Sequence, residues 1–417
     1  MPTRPNLDFV YFDAGGGHRS AAIALDSVIS AEGYGWNVRL VNLQHVLDPL
    51  DIFRKITGLR SQDIYNHLLA KGWTLGASQL LFALQQVIRL YHSQTVKLLN
   101  QFWSERQPDM VVSLIPNLNR AAYESLQLAC PGTPYISILT DLADYPPHFW
   151  MEKQNQYFIC GTPKAVEQAR IMGHAESRIF RVSGMILRPQ FYDSWTGDRS
   201  LERKRLGLDP ELPTGVVLFG GEGSNTMYSI AKTLGNSDNK LQLIMLCGKN
   251  RRLKKRLERL NTRNKILIEG FTRDVPFFMR LGDFFIGKPG PGSISEALQT
   301  GLPVIVESNL WTLPQERYNA EWIQKNGLGI VLHDFGKVDN AVEQLLTEPG
   351  FSQMRQRIRS IENRAVFEIP PILERILGVS LDRPGKEFQA TRVSDNGVPI
   401  LGEAADIDSS KNFSDRL

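Results

Sequence analysis

A histidine beside a glycine-rich turn is the first feature of the sequence that could do chemistry. The segment Asp13-Ala-Gly-Gly-Gly-His18 follows an apolar run and leads into a predicted helix from about His18 to Ala31. Glycine permits a sharp turn and close approach of a ligand, and imidazole can accept a proton near neutral pH. The segment therefore predicts a general base, although a tight turn with a capping histidine explains the same residues. It matches neither a Walker loop nor the dinucleotide fingerprint.

Two glycine-rich loops in the second half of the chain could bind phosphate. One is Phe219-Gly-Gly-Glu-Gly-Ser-Asn-Thr226 and the other runs from Gly287 to Glu296. Backbone N–H groups of such loops can face a diphosphate, and a helix that opens at Ser293 can bind an anion. Glu296, one turn further on, can accept hydrogen bonds from a ribose diol. The alternatives are a plain strand-to-helix turn and a Ser293-x-x-Glu296 capping box.

Two further polar clusters suit sugar or acceptor binding. Gln315, Glu316 and Asn319 begin a predicted helix on adjacent turns, where polar groups can reach sugar hydroxyls. The stretch from Thr140 to Trp150 joins Asp141 to aromatic residues, as expected of an acceptor pocket. A polar helix start and a proline-stiffened surface loop are the corresponding alternatives.

Alternating strands and helices would position these groups. Six strand candidates in each half argue for two parallel sheets built from βαβ units. They lie at 7–13, 36–43, 110–114, 135–139, 157–160 and 179–182, then at 215–219, 241–247, 265–269, 283–286, 302–306 and 328–332. Ligands of such sheets bind at the carboxyl ends of the strands. The glycine loops of both halves should therefore face one cleft.

The length of 417 residues predicts two domains. We expect an N-terminal Rossmann-like domain at 1–195, with a helical insertion at about 51–103, and a C-terminal Rossmann-like domain at 205–380. The polar stretch 192–212 is the predicted linker. Residues 381–417 are poor in large apolar side chains and are predicted to be a disordered tail.

Composition limits the possible partners and compartments. A net charge of only +4 does not argue for nucleic acid, and it is compatible with an anionic membrane surface. Cys130, Cys160 and Cys247 are far apart, which suggests a reducing compartment rather than a zinc site or disulfides. We expect no signal peptide and no transmembrane helix, so any membrane contact should be peripheral.

Two segments are candidates for that contact. The basic run 249–265 has Leu253, Leu257 and Leu260 on one stripe, and the apolar segment 80–103 lies in the insertion. Each has an ordinary alternative, a solvated helix face for the first and a buried core helix for the second.

Seven motifs in one order resemble those of monogalactosyldiacylglycerol synthases, and bacterial diacylglycerol glucosyltransferases share most of them. Both of these enzyme groups belong to glycosyltransferase family 28. The motifs are GGGHRSAA after Asp13, TDL with Pro147-His-Phe-Trp150, Ser183-Gly184 with Arg188-Pro-Gln-Phe191, GGEGS, Glu269-Gly270-Phe271, GKPGPG with Glu296, and Gln315-Glu316 with Asn319. The resemblance covers about residues 7–378. It implies an α/β GT-B fold, in which two Rossmann-like domains face a central cleft.

The resemblance also implies roles for individual residues. His18 corresponds to the proposed general base, Glu296 to the ribose-binding acid, and Gln315 and Glu316, with Asn319 beside them, to the hexose-binding residues. The remaining donor contacts are expected from three backbone segments. The diphosphate would contact Gly220, Gly221, Gly223 and Ser224, uracil would contact Gly270 and Phe271, and the α-phosphate would contact Gly292, Ser293 and Ile294. Gly16, Gly17, Asp141 and Trp150 are the acceptor-side candidates.

The implied activity is inverting transfer of galactose or glucose from a UDP-sugar to a lipid, foremost 1,2-diacylglycerol, at the cytoplasmic side of a membrane. No cofactor or metal is expected, and the Asp406-x-Asp408 pair lies in the predicted tail. Ala14 and the segment from Asp144 to Pro147 depart from the family pattern and leave the acceptor open. The alternatives are UDP-GlcNAc or another UDP-sugar with a different lipid or a soluble acceptor, a non-catalytic nucleotide-sugar-binding module, and a sugar-nucleotide epimerase.

Overall fold

The computed structural model describes residues 4–13, 16–50 and 85–381. Ala14, Gly15, most of the predicted insertion (51–84) and the predicted tail from residue 382, with Asp406 and Asp408, lie outside the described residues. In the first half, helices and strands alternate in the predicted order. They are β1 (Asn6–Tyr11), α1 (Gly17–Ala31), β2 (Asn37–Asn42), α2 (Leu43–Leu47), α3 (His92–Arg106), β3 (Met110–Ser113), α4 (Asn119–Ala129), β4 (Tyr135–Ile138), β5 (Tyr157–Cys160), α5 (Pro163–Ile171) and β6 (Ile179–Arg181).

The second half repeats this alternation. It contains α6 (Arg199–Arg205), β7 (Thr214–Leu218), α7 (Thr226–Gly235), β8 (Gln242–Leu246), α8 (Arg251–Leu257), β9 (Ile266–Glu269), α9 (Val275–Leu281), β10 (Phe284–Gly287), α10 (Pro291–Gln299), β11 (Val304–Glu307), α11 (Pro314–Asn326), β12 (Gly329–Leu332), α12 (Val338–Leu346), α13 (Gly350–Arg359) and α14 (Ala365–Leu381). Each of the predicted strand segments overlaps an observed strand, and the observed ends lie within two residues of the predicted ones.

The strands of the described residues form two parallel sheets of six, in the orders β2-β1-β3-β4-β5-β6 and β12-β11-β10-β7-β8-β9. Strand β1 lies between β2 and β3, and its apolar side chains are covered on both faces, as in parallel sheets generally. Its Leu7 is in register with Val38 of β2 and Met110 of β3. In the second sheet β7 and β10 are neighbours, with Leu218 opposite Gly287. The loops that follow these two strands therefore start side by side.

The last helix departs from the predicted domain division. Ala365, Val366, Ile369 and Leu373 of α14 are fully buried in the core around the first sheet. The prediction placed all of 205–380 in the C-terminal domain, but this amphipathic helix buries its apolar face on the N-terminal half. We retain the division near 195–205 as a proposal, with α14 assigned to the N-terminal half.

The predicted linker also contains an ordered helix. Arg203 of α6 is buried, and its Nη2 lies 2.7 Å from Oδ2 of Asp283, which precedes β10. Arg199 pairs with the other oxygen of that carboxylate, also at 2.7 Å. Two guanidinium groups on one carboxylate hold its pKa below the usual range, although burial opposes them. This part of 192–212 is therefore anchored to the second half.

Both segments proposed for membrane contact, 249–265 and 80–103, have apolar side chains that are buried in the protein's own cores. Leu253 and Leu257 of α8 are buried beneath the second sheet, which leaves the basic side chains of the helix outside. Leu99 and Trp103 of α3 are fully buried. The buried-helix alternative therefore holds for the latter part of 80–103. None of the described helices combines the length and the apolar character needed to cross a membrane.

Candidate functional site

His18 lies on the first turn of α1, where the carboxyl ends of β1, β3 and β4 meet. Its Nδ1 is 3.0 Å from the hydroxyl oxygen of Thr140, which follows β4. Burial lowers the pKa of His18 to about 4, although a hydrogen bond with the backbone of Leu114, after β3, acts in the opposite direction. The imidazole is therefore neutral at physiological pH, the state in which one ring nitrogen can accept a proton.

The turn before His18 requires glycine at one position. Gly16 has a φ of 80°, in the left-handed region, and precedes the first residue of α1. A Cβ added at Gly16 or Gly17 would meet open space, and both residues are exposed. The backbone next to the imidazole is thus accessible, as expected of the acceptor side.

Trp150 and Asp141 form a buried pair behind His18. The indole ring centroid lies 5.9 Å from that of His18, and its Nε1 donates a hydrogen bond of 2.9 Å to Asp141. Burial raises the pKa of Asp141 to about 7, with the indole hydrogen bond opposing the rise. Trp150 is completely buried. It supports the His18 ring from behind and does not present an open wall to an acceptor.

The loop after β7 is shaped by two glycines with positive φ. These are Gly220 at 75° and Gly223 at 63°. A Cβ at Gly223 would come within 2.7 Å of the Cys247 carbonyl oxygen, whereas at Gly221 there is open space. The Ser224 hydroxyl accepts a 3.2 Å hydrogen bond from the backbone N–H of Thr226, where α7 begins. The loop thus has a glycine-dependent form and an open side.

The structure excludes the capping-box alternative for the loop after β10. Helix α10 begins at Pro291, two residues before the predicted opening at Ser293, and its N-cap is Gly290, which makes no side-chain capping bond. Gly292 is open to solvent space and Ile294 is fully buried. Because the Ile294 N–H donates a 3.1 Å hydrogen bond to the Gly290 carbonyl, the N–H groups left for another partner are those of Gly292 and Ser293.

Glu296 is a half-buried acid on the second turn of α10. Burial raises its pKa to about 7, and Arg188, whose Nη2 is 4.0 Å from Oε1, lowers it. Arg188 also donates a 2.8 Å hydrogen bond to the carbonyl of Arg273, shortly after β9. Gly270 and Phe271 lie in this same connection, and Phe271 is exposed. One arginine therefore joins the predicted ribose acid to the predicted uracil segment.

The predicted hexose-binding residues lie on the first turns of α11. Glu316 is buried, and its Oε1 is 2.8 Å from Nζ of Lys288. Asn319 is fully buried and donates a 2.8 Å hydrogen bond to the Pro289 carbonyl, so it holds the loop after β10 in place. Gln315 is half-buried at the start of the helix. Glu316 and Gln315 are thus placed to reach a ligand, and Asn319 supports them.

The two sets of residues face each other. The charges of Glu316 and Lys288, in the second half, act on the pKa of Asp141 in the first half. Tyr145, after Asp141, has its ring centroid 5.6 Å from that of Tyr318, on α11. Because Asp141 is bonded to the indole beside His18, the imidazole and the α11 carboxylate lie on opposite walls of one region.

Two charged residues of this region were missed by the sequence interpretation. Lys288 and Arg188 both stand inside motifs that the sequence singled out, and they pair with Glu316 and Glu296. For Lys288, the signal available in the sequence was its position inside a loop rich in glycine and proline. Nothing in the sequence indicated which acid Arg188 would meet. Within 4–13, 16–50 and 85–381, no three His, Cys, Asp or Glu side chains are grouped as a metal site would require.

Comparison with known proteins supports the resemblance. Residues 216–366 match the Glycosyltransferase family 28 C-terminal domain. The chain is 27% identical over 384 residues to a protein of Oryza sativa subsp. japonica named probable monogalactosyldiacylglycerol synthase 2, chloroplastic, covering 87% of this chain and 79% of that protein. A spinach (Spinacia oleracea) monogalactosyldiacylglycerol synthase is 28% identical over 357 residues, covering 80% of this chain and 64% of that protein.

Structural similarity extends over both halves. The crystal structure of Acinetobacter baumannii MurG aligns with a TM-score of 0.57 at 11% identity, covering 89% of this chain and all of that one. This finding and the two facing parallel sheets confirm the predicted GT-B fold. The family match and the two plant relatives confirm the resemblance to monogalactosyldiacylglycerol synthases and the prediction of a glycosyltransferase.

Proposed function

We propose that this chain, a glycosyltransferase of the family 28 type, is an inverting enzyme that transfers galactose or glucose from a UDP-sugar to a lipid hydroxyl. The lipid that we propose is 1,2-diacylglycerol, and the product is a monoglycosyldiacylglycerol. The observation that supports this most is the position of a neutral imidazole, His18, opposite the buried acid Glu316. A base and a sugar-binding group on facing walls are what a two-substrate transfer requires.

The donor would lie along the carboxyl ends of the second sheet. We assign the diphosphate to the backbone of Gly220, Gly221, Gly223 and Ser224 and to the first turn of α10, at Gly292, Ser293 and Ile294. The free N–H groups and the dipole of that turn favour an anion. Gly270 and Phe271 would hold uracil, Glu296 the ribose diol, and Gln315 and Glu316 the hexose.

Transfer would proceed in one displacement. The acceptor oxygen attacks the anomeric carbon as the bond to the diphosphate breaks, and the electron pair of that bond leaves with UDP. The proton of the acceptor hydroxyl passes to His18. General-base catalysis of this kind contributes about 10²–10⁴-fold. Because attack and departure occur on opposite faces, the anomeric configuration inverts.

The lipid acceptor rests on the plant relatives, whose names specify a glycolipid product. A diacylglycerol acceptor stays in its bilayer, so the enzyme must work at a membrane surface. We propose peripheral binding to an anionic membrane on its cytoplasmic side, with no nucleic acid partner. The exposed basic side chains around α8 suit such a surface, since anionic lipid attracts basic segments.

The main alternative is a different acceptor or donor, such as UDP-GlcNAc or a soluble small molecule. An epimerase is also compatible with the fold, since a putative UDP-N-acetylglucosamine 2-epimerase from Listeria monocytogenes aligns with a TM-score of 0.54 at 16% identity, covering 93% of this chain and all of that one. That likeness concerns the fold alone.

A panel of UDP-sugars offered with diacylglycerol in anionic micelles tests the proposal. We expect UDP release with UDP-galactose or UDP-glucose only when diacylglycerol is present, and a lipid product heavier by one hexose. Product mass and sugar analysis identify the transfer. Turnover of UDP-GlcNAc without lipid, or UDP release with a soluble acceptor alone, would favour an alternative and contradict the lipid assignment.

We also expect activity to be independent of divalent metal. In this proposal the α10 amino terminus and protein cations neutralise the leaving diphosphate. Turnover measured with and without EDTA should then agree within about twofold. Removal of a catalytic metal would cost several kcal/mol of transition-state stabilisation, which is a much larger fall in rate. Strong inhibition that is reversed by added Mg²⁺ or Mn²⁺ would contradict this expectation and direct attention to Asp406 and Asp408.

A further inference from the structure

Lys288 is a charged side chain inside the candidate site to which no donor or acceptor role has been assigned. It follows β10 directly, at the position where the loop toward α10 begins. Its Nζ lies 2.8 Å from Oε1 of Glu316, and its side chain is 36% exposed whereas that of Glu316 is 9% exposed. The lysine is therefore the more exposed member of the pair.

The lysine side chain lies between the elements proposed to bind the two parts of the donor. A Cβ placed on Gly220, in the loop after β7, would lie 3.9 Å from Cε of Lys288. A Cβ on Gly290, the N-cap of α10, would lie 3.3 Å from the same atom. The proposed diphosphate site is thus on one side of the side chain, and Glu316 of the proposed hexose site is at its end.

The bond that breaks in the transfer joins these two parts of the donor. It connects the anomeric carbon, held by Gln315 and Glu316, to an oxygen of the diphosphate, held by the loops after β7 and β10. A side chain that lies between the two holding elements is next to that bond. The charge of Lys288 also reaches Asp141 on the opposite wall, so it faces the region where the acceptor would enter.

Resting on the proposed function, we propose that Lys288 is a further catalytic residue, whose ammonium group contacts the departing diphosphate and stabilises its negative charge. As the acceptor oxygen bonds to the anomeric carbon, the electron pair of the breaking bond moves to the diphosphate oxygen and the hydroxyl proton moves to His18. Lys288 keeps its protons and supplies positive charge at the oxygen where negative charge develops. Its pairing with Glu316 also keeps that carboxylate oriented toward the hexose.

Replacing Lys288 with Met tests this role. We expect kcat to fall roughly 30-fold, less than the 10²–10³-fold loss typical of an oxyanion-hole donor because the α10 amino terminus shares the task. The KM for the UDP-sugar should change by less than about threefold, because the charge is needed mainly in the transition state. Lys288→Arg, which retains the charge, should recover a large part of kcat. Lys232→Met, at an exposed position on α7, is the matched control and should leave kcat unchanged.

A double variant separates a direct role from an effect through Glu316. If Lys288 contacts the diphosphate, Lys288→Met should still lower kcat about tenfold in a Glu316→Gln background. If it only orients Glu316, the double variant will match Glu316→Gln alone. That match, or a Lys288→Met enzyme within threefold of wild-type kcat, would overturn the inference. Absence of UDP release by the wild-type enzyme with lipid would instead refute the proposed function.

Discussion

Replacement of His18 with Ala should lower turnover by about 10²–10⁴-fold, the contribution of a positioned general base. UDP binding should stay within about threefold of wild type, because the imidazole lies in the first half of the chain and the proposed nucleotide contacts lie in the second half. Steady-state UDP release with diacylglycerol present measures the first quantity, and calorimetric titration with UDP measures the second.

The control for this variant is His333→Ala. His333 is exposed at the end of the second sheet, and its contact with Asn309 uses the backbone carbonyl, which the substitution keeps. It should retain wild-type turnover. Full activity of His18→Ala would remove the assigned role. Loss of UDP binding together with turnover would indicate that the substitution disturbs the donor site, which contradicts a role confined to the acceptor proton.

Glu296→Gln should weaken UDP binding by about 10²-fold. A carboxylate that accepts hydrogen bonds from both ribose hydroxyls makes two charge-assisted bonds, and bonds to charged groups contribute about 1.5–3 kcal/mol each. The amide of the Glu296→Gln variant retains part of this interaction, so the expected loss of binding free energy is near the lower end of the range for two such bonds. Calorimetric titration with UDP at pH 8 measures it, and Glu343→Gln, at an exposed position on α12, is the matched control.

The pH dependence of UDP binding gives a second measure of the same residue. Burial raises the pKa of Glu296 to about 7, so the free protein binds a proton there as the pH falls below 7. Ribose binding favours the ionised form, and wild-type affinity should therefore decline toward pH 5.5. Glu296→Gln cannot take up that proton, so its affinity should decline less. Parallel pH curves for the two proteins would contradict the ribose assignment, since ionisation of UDP itself is common to both.

The sequence was sufficient for the fold because each strand is short, apolar and bounded by turn residues. β1 and β7 are recognisable as buried parallel strands, and the glycine loops after them mark their carboxyl ends. The destination of α14 was not predictable in the same way. An apolar stripe on a helix shows that one face is buried, but it does not say which sheet buries it. Helix α14 follows the second half in sequence, yet it packs on the core of the first half.

The candidate site was predicted residue by residue, but its internal contacts were not. Periodicity and motif spacing cannot show that the Trp150 indole is buried against Asp141, or that Asn319 turns inward to hold the loop after β10. Nor can they show charge pairing between residues about a hundred positions apart, as for Arg188 and Glu296. The first two contacts depend on how loops fold back within one half of the chain, and the third depends on how the two halves pack together.

The most direct test concerns the ring of His18 itself. The NMR signal of its Cε1–H group, assigned with His18→Gln, can be followed while UDP and then UDP-galactose or UDP-glucose are added. We predict a clear shift with the productive UDP-sugar, a smaller one with UDP, and none at exposed His333, because only the hexose extends toward the opposite wall. A UDP-sugar that binds tightly and leaves the His18 signal unchanged would contradict the arrangement of base and donor across one cleft.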